Sequence, residues 1–327
     1  MKYGYLILLG VLLSACGPQE KQEPLKPDTN PTPAPAVEKR PSFSGDSAYH
    51  FVDVQVNFGP RVPGTESHEA CGDWLVERLG EWSDQLIEQT GSVQAWDGAE
   101  LPMRNIVASF NPESDKRVLL CAHWDTRPVA DEDPDASRHD EPIMGANDGG
   151  SGVAVLMEVA RNLSEKPVDY GVDIVLFDVE DYGKSEVANS YCLGSQYWGR
   201  NPHVAGYRAD YGILLDMVGA DGAYFYREGI SMHFASHVVD RVWAAAGKAG
   251  ASSYFLFNEA PYPQLTDDHL YVNQLTGIPT IDIIQYDRDT PKGFGDFWHT
   301  HRDNMDIISA RTLGAVGETL LEVLYSE

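Results

Sequence analysis

The strongest constraint on this chain's fold is a set of short runs that are apolar at consecutive positions, set between stretches of helical periodicity. Residues 105–110, 117–123, 172–178, 212–216 and 280–284 are rich in Val, Ile and Leu without a polar face. Strands of that kind must be covered on both sides. Between them, 67–79, 152–163, 237–249 and 309–325 repeat apolar residues at helical spacing. The last of these shows Leu313, Val316, Leu320 and Leu324, with Ser309 placed to cap its start. Alternating strands and helices predict a three-layer α/β/α sandwich with a largely parallel, mixed central sheet. With 327 residues, 43% of them hydrophobic, the chain can bury one large core.

The N-terminal 43 residues do not join this pattern. Lys2 precedes a short apolar run, Leu6 to Leu13, and then Ser14-Ala15-Cys16. The run is too short for a membrane-spanning helix, which needs about 20 apolar residues, and reads as an export signal. Its Leu-Ser-Ala-Cys ending resembles the bacterial lipobox, in which the cysteine is acylated and becomes the mature N-terminus. Residues 1–15 are thus expected to be a lipoprotein signal peptide. Residues 16–43 are expected to be a lipidated, Pro-rich tether, with Pro31, Pro33 and Pro35 favouring extended chain. One folded domain is expected to follow from 44 to 327. An exported bacterial lipoprotein facing the periplasm or cell exterior is the resulting expectation, with the membrane reached through Cys16.

Fifty Asp and Glu against 24 Lys and Arg give a formal charge of −26. That balance repels phosphate backbones, so no nucleic-acid partner is expected, and no sequence feature identifies a protein partner. Beyond Cys16, the chain has Cys71, Cys121 and Cys192. Cys121 lies in an apolar run and reads as a small buried hydrophobe. The sequence neither requires nor excludes a Cys71–Cys192 bridge.

Acids and histidines gather where the apolar runs end. His123 and Asp125 follow one run, Glu180 and Asp181 another, and Asp216 closes a third. In open α/β sheets the carboxyl ends of strands define the ligand crevice, so these side chains are expected on one rim. Asp148, in the Gly-rich loop 145–152, and His299, in an aromatic loop, complete the set. Alone, Asp148 would be read as a helix cap or Asx turn. A neutral imidazole facing two carboxylates is a zinc ligand set. His301 is the competing histidine.

Several motifs resemble the zinc-dependent aminopeptidase superfamily. They are Gly59-Pro60-Arg61-Val62-Pro63-Gly64-Thr65, Ala122-His123-Trp124-Asp125, the 145–152 loop, Glu180-Asp181, Leu215-Asp216-Met217 and Asp267-Asp268-His269. Trp298-His299-Thr300 with Asp303-Asn304, the long segment 127–144 and the 193–198 stretch resemble the glutaminyl cyclases within that superfamily. The resemblance runs from about Phe51 to the C-terminus. It implies a zinc-exopeptidase-like fold and zinc bound by Asp148, Asp181 and His299. Glu180 would be general acid/base, Asp216 and Asp267 an acidic network beside it, and Trp298 and Phe294 the walls of a pocket for peptide or protein N-termini. Two departures from the animal cyclases stand out: Asp282 occupies the place of a histidine, and Asp181 that of a glutamate. The implied reaction converts an N-terminal Gln to pyroglutamate with release of ammonia, and the 127–144 segment is expected to exclude water from it. The alternative is a two-zinc aminopeptidase in which His123 and Asp216 bind a second zinc. A non-catalytic binding module of the same fold would be expected to have lost some of these ligands.

Overall fold

The computed structural model describes residues 1, 4, 40–259 and 265–326. The signal peptide, Cys16 and nearly all of the tether lie outside the described residues. The packed unit begins at Arg40, four residues before the expected boundary. Arg40 pairs with Glu318 and Glu322, and Phe43 is buried, so this short segment is tied to the domain by charge and by packing.

Six strands form the central sheet in the order β1-β2-β4-β3-β5-β8: β1 (Gln85–Gln94), β2 (Glu100–Phe110), β3 (Arg117–His123), β4 (Gly171–Phe177), β5 (Tyr211–Asp216) and β8 (Thr280–Ile284). β4, β3, β5 and β8 run parallel, while β1 and β2 form an antiparallel edge. Two short strands, β6 (Phe225–Arg227) and β7 (Phe255–Glu259), pair beside the sheet. The expected mixed, largely parallel α/β sheet is borne out.

Alternate residues of each central strand enter different cores, as a two-residue period requires. Val118, Leu120 and Ala122 of β3 face a large core with α1 (Gly45–Asn57), α2 (Glu66–Trp82), α3 (Gly150–Glu165), α5 (Gly229–Lys248) and α7 (Ala310–Tyr325). Leu119 and Cys121 face the opposite core, with Trp198 of α4 (Leu193–Arg200) and Val272 of α6 (Asp268–Thr276). Ser309 caps α7 as expected, its side chain accepting from the Thr312 amide. No helix among the described residues is long and apolar enough to cross a membrane.

The Cys71–Cys192 bridge is not present: both thiols are free and buried. Cys71 lies on α2 within the larger core, whereas Cys192 caps α4, whose main helical neighbour is α6 in the opposite layer. The sheet's two layers hold them apart.

Candidate metal centre and catalytic pocket

Three adjacent parallel strands deliver their acids to one rim. β3 ends on His123, β4 leads into Glu180 and Asp181, and β5 ends on Asp216. The turn after β4 is sharp. Val179 adopts φ +53°, and the Asp125 carboxylate accepts both the Glu180 amide (2.9 Å) and the Asp181 amide (3.1 Å). Asp125 thus fixes where these two acids point.

The loop carrying Asp148 is built from glycines for a steric reason. Gly149 has φ +83°, and a Cβ there would stand 2.6 Å from the Asp125 carbonyl oxygen. A Cβ on Gly152 would lie 2.3 Å from the Leu215 carbonyl oxygen, so α3 packs directly on β5. Asp148 does not cap α3; Gly149 occupies that position without a side-chain bond. The Asp303 carboxylate instead accepts the Asn147 amide (2.7 Å) and the Asp148 amide (3.0 Å), leaving the Asp148 side chain free for the rim. Arg61 is fully buried behind the loop and donates to the carbonyls of Trp124, Met144 and Gly145.

Ligating atoms of Asp148, Asp181 and His299 lie within 4.8 Å of one another. His299 Nε2 is 3.4 Å from Asp181 Oδ1 and 3.7 Å from Asp148 Oδ2. Asp181 Oδ2 is buried without a hydrogen-bond partner, as expected of an oxygen reserved for a cation. Two carboxylates and one imidazole suit zinc, so the residues fit that metal. On its far side, His299 Nδ1 faces Asp131 Oδ1 at 3.3 Å, and Asp131 is held by a two-armed contact from Arg127. Backing of this kind orients a ligating histidine. His301 does not join the group; its Nδ1 is 2.8 Å from Asp133 and its Nε2 3.3 Å from Glu141.

A second set shares Asp148: His123, Asp148 and Asp216 also lie within 4.8 Å. His123 Nε2 stands 3.1 Å from Asp148 and 3.2 Å from Asp216. Burial opposes charge on this ring, but Asp125, Asp148 and Asp216 outweigh it and raise its pKa well above the usual value. Burial, with the Asp181 charge beside it, pushes Asp148 up to about 6.

Asp148, Glu180, Asp181, Asp216, Asp267, Phe294, Trp298 and His299 all line one cavity of about 310 Å³. Trp298 stacks on His299 with ring centroids 3.6 Å apart, and Phe294 packs on Trp298. Glu180 is buried and accepts from the Cys192 thiol at 3.1 Å. Desolvation, reinforced by Asp181 and Asp267, pushes its pKa well above the ordinary range despite His123. The 127–144 segment does not line this cavity. It packs behind the centre through Arg127, Asp131 and Asp133, while residues 185–191 and Leu265–Asp267 form the open walls. Asp282 lies outside the cavity lining, buried behind Asp267. The sequence assigned no role to Asp131 or Asp303, which act on residues far away along the chain, and it did not show the contact of Cys192 with Glu180, a pair twelve residues apart with no local pattern.

An α/β/α sandwich with paired carboxylate–histidine ligand sets at its carboxyl rim belongs to the zinc-exopeptidase class of enzymes. By sequence, the chain belongs to peptidase family M28, whose model matches residues 105–324. It is 55% identical to a glutaminyl cyclase of Porphyromonas gingivalis, covering 86% of this chain and 98% of that one, with a TM-score of 0.84. A Zn-dependent exopeptidase of Parabacteroides distasonis is 48% identical over 88% of this chain and all of its own, with a TM-score of 0.86. The glutaminyl-peptide cyclotransferase of Drosophila melanogaster is 23% identical over 77% of this chain and 73% of its own.

Proposed function

We infer that the protein is a glutaminyl-peptide cyclotransferase that converts N-terminal Gln of peptides and proteins to pyroglutamate. The observation that carries this reading is a buried Glu180 sharing a 310 Å³ cavity with the Asp148–Asp181–His299 triad and an aromatic wall of Trp298 and Phe294. The high identity to a cyclase structure supports it. Asp148, Asp181 and His299 are the residues that would hold zinc, which when bound supplies Lewis-acid polarisation of the side-chain amide carbonyl.

The remaining work falls to the chain. The substrate's α-amine attacks its own side-chain carbonyl carbon, so bond formation already gains from proximity. Trp298 and Phe294 confine the glutaminyl side chain against the ligands. Glu180 takes the proton from the attacking nitrogen and returns it to the departing one, so a C–N bond forms, a C–N bond breaks and ammonia leaves without consuming water. A carboxyl raised by burial is suited to both halves of that exchange. Asp267 lies beside Glu180 as its acidic neighbour, and Asp216 lines the same cavity.

The second reading, a two-zinc aminopeptidase, is favoured by the His123–Asp148–Asp216 set. One experiment decides between them. The zinc-loaded domain is incubated with a peptide beginning Gln and a matched peptide beginning Leu, and products are weighed by mass spectrometry. A cyclase removes only ammonia from the first and leaves the second intact. Release of free Leu, with a shortened Gln peptide, would overturn the cyclase reading. On the same footing, the lipobox-like ending at Cys16 and the Pro-rich segment behind it support anchorage of an exported enzyme to a membrane, with its domain held off the surface.

A further inference from the structure

Outside the catalytic cavity, the buried carboxylate of Glu228, the N-cap of α5, accepts five hydrogen bonds among the described residues. Its Oε1 accepts the Ile230 amide at 2.7 Å and the Leu265 amide at 3.4 Å. Its Oε2 accepts the Ser231 amide at 2.6 Å, the Ser231 hydroxyl at 2.9 Å and His269 Nε2 at 3.1 Å. Capping a helix needs only the bonds to Ile230 and Ser231. The others reach elsewhere. Leu265 and the nearby Thr266 and Asp267 line the catalytic cavity, and His269 stands in the first turn of α6, which Asp267 caps. The Ser231 hydroxyl also accepts the Asp282 amide at 2.9 Å, so β8 is tied to the same point.

From there the contacts lead to the chemistry. Polar atoms of His269, Asp282 and Asp267 lie within 4.8 Å of one another, and those of Asp267, Cys192 and Glu180 form a second such group. His269 and Asp282 are both buried, and His269 Nδ1 faces Asp282 Oδ2 at 3.9 Å, beyond hydrogen-bond reach. A buried cluster this rich in acids needs a fixed donor to keep its carboxylates in one arrangement. We propose that Glu228, acting through His269 and Ser231, is the positioning residue that sets Asp267 beside Glu180. The proposal rests on the cyclase reading, in which Asp267 assists Glu180.

Glu228→Gln tests it. An amide presents its NH₂ to donors on one side, so it cannot accept from all five groups. Turnover of a Gln peptide is measured for the wild type, Glu228→Gln, Asp267→Asn and the double variant, with zinc content determined for each. Glu228→Gln should lower kcat about 10- to 100-fold, the range seen when an orienting partner is lost, with KM within about threefold and zinc retained. In the Asp267→Asn background the same change should cost less than about twofold, because both act on one step. A merely structural role would make the two losses multiply, and that outcome, or full kcat in Glu228→Gln, overturns the proposal. If Glu228→Gln does not fold, His269→Gln enters the same cycle, since it cuts the link while Glu228 keeps its backbone donors. Wild-type turnover by Asp267→Asn would remove the role of Asp267 and this inference together, leaving the cyclase activity standing. A wild-type enzyme that cyclises nothing would sink the cyclase reading itself and the inference with it.

Discussion

Arg61 offers a measurable link between the packing of the domain and the candidate metal centre. The residue is fully buried and gives the Met144 carbonyl a 2.6 Å bond and the Gly145 carbonyl a 2.7 Å bond, with a longer one to Trp124 at 3.3 Å. The Met144 and Gly145 carbonyls belong to the turn that presents Asp148, and the Trp124 carbonyl directly follows β3. Arg61→Met fills similar space but supplies no donor, so the Met144 carbonyl loses its charged partner and the Gly145 carbonyl keeps only the Gly150 amide. Hydrogen bonds to a charged group are worth about 1.5–3 kcal/mol each, so the two short ones put the loss at about 3–6 kcal/mol. Burial also lowers the Arg61 pKa, against the pull of nearby acids that include Asp303, Asp125 and Asp148. Removing the guanidinium takes a balancing charge from those acids as well. A domain typically has about 5–15 kcal/mol in hand, so the variant should be visibly weakened but foldable. Arg61→Lys keeps the charge without the fork and should lose roughly half as much. Urea unfolding at pH 7 in a chelator measures this without the contribution of bound metal. A loss under about 1 kcal/mol for Arg61→Met would refute the argument, because it would mean that the turn satisfies its carbonyls without Arg61.

Two further outcomes follow from the site. His299→Ala should lose zinc and turnover together, whereas His301→Ala, whose ring faces Asp133 and Glu141, should keep both; zinc analysis of the two purified variants would reverse the ligand assignment if the results were exchanged. Cys71, Cys121 and Cys192 are buried, and burial raises all three pKa values, that of Cys71 to about 11. In a protein starting at Arg40 no thiol should react with a disulfide reagent at pH 8 until denaturant is added, and then three should; rapid reaction of the native protein would contradict the burial of Cys192 against Glu180.

The parts of the fold that could be read in the sequence are those whose burial leaves a local pattern. β3, β4, β5 and β8 are continuous apolar runs because both faces are covered, and their ends fall within a residue of the expected ones. β1 was illegible because it lies at the sheet edge, largely exposed, and its sequence is mostly polar. α4 and α6, of eight and nine residues, are too short for helical periodicity to stand out. The acids and histidines of the rim were legible because strand order brings three strand ends together without any need for long-range detail. Asp131 and Glu228 were not, since a carboxylate that orients a distant histidine has no spacing to announce it. The 127–144 segment was misjudged for a related reason: its length suggested a cover over the cavity, but its buried residues Arg127 and Asp133 anchor it behind the metal centre.

Backbone strain explains how the rim acids are aimed. Among the described residues, six that are not glycine have positive φ, and Val179, Asn189, Cys192, Met217 and His299 stand in or beside the cavity. The left-handed region disfavours most side chains by roughly 1–2 kcal/mol per residue, and a β-branched valine is among the least suited to it. A strand continued past Phe177 would send successive side chains to opposite faces, placing Glu180 and Asp181 on different sides of the sheet. The left-handed step at Val179 breaks that alternation, and the amides of Glu180 and Asp181 then meet the single carboxylate of Asp125. Met217 ends β5 in the same way, directly after Asp216, and His299 takes the left-handed conformation itself beneath the Trp298 ring. The apolar runs determine where the strands end, but the direction of the acids depends on these few unfavourable dihedrals, which the surrounding buried bonds hold in place.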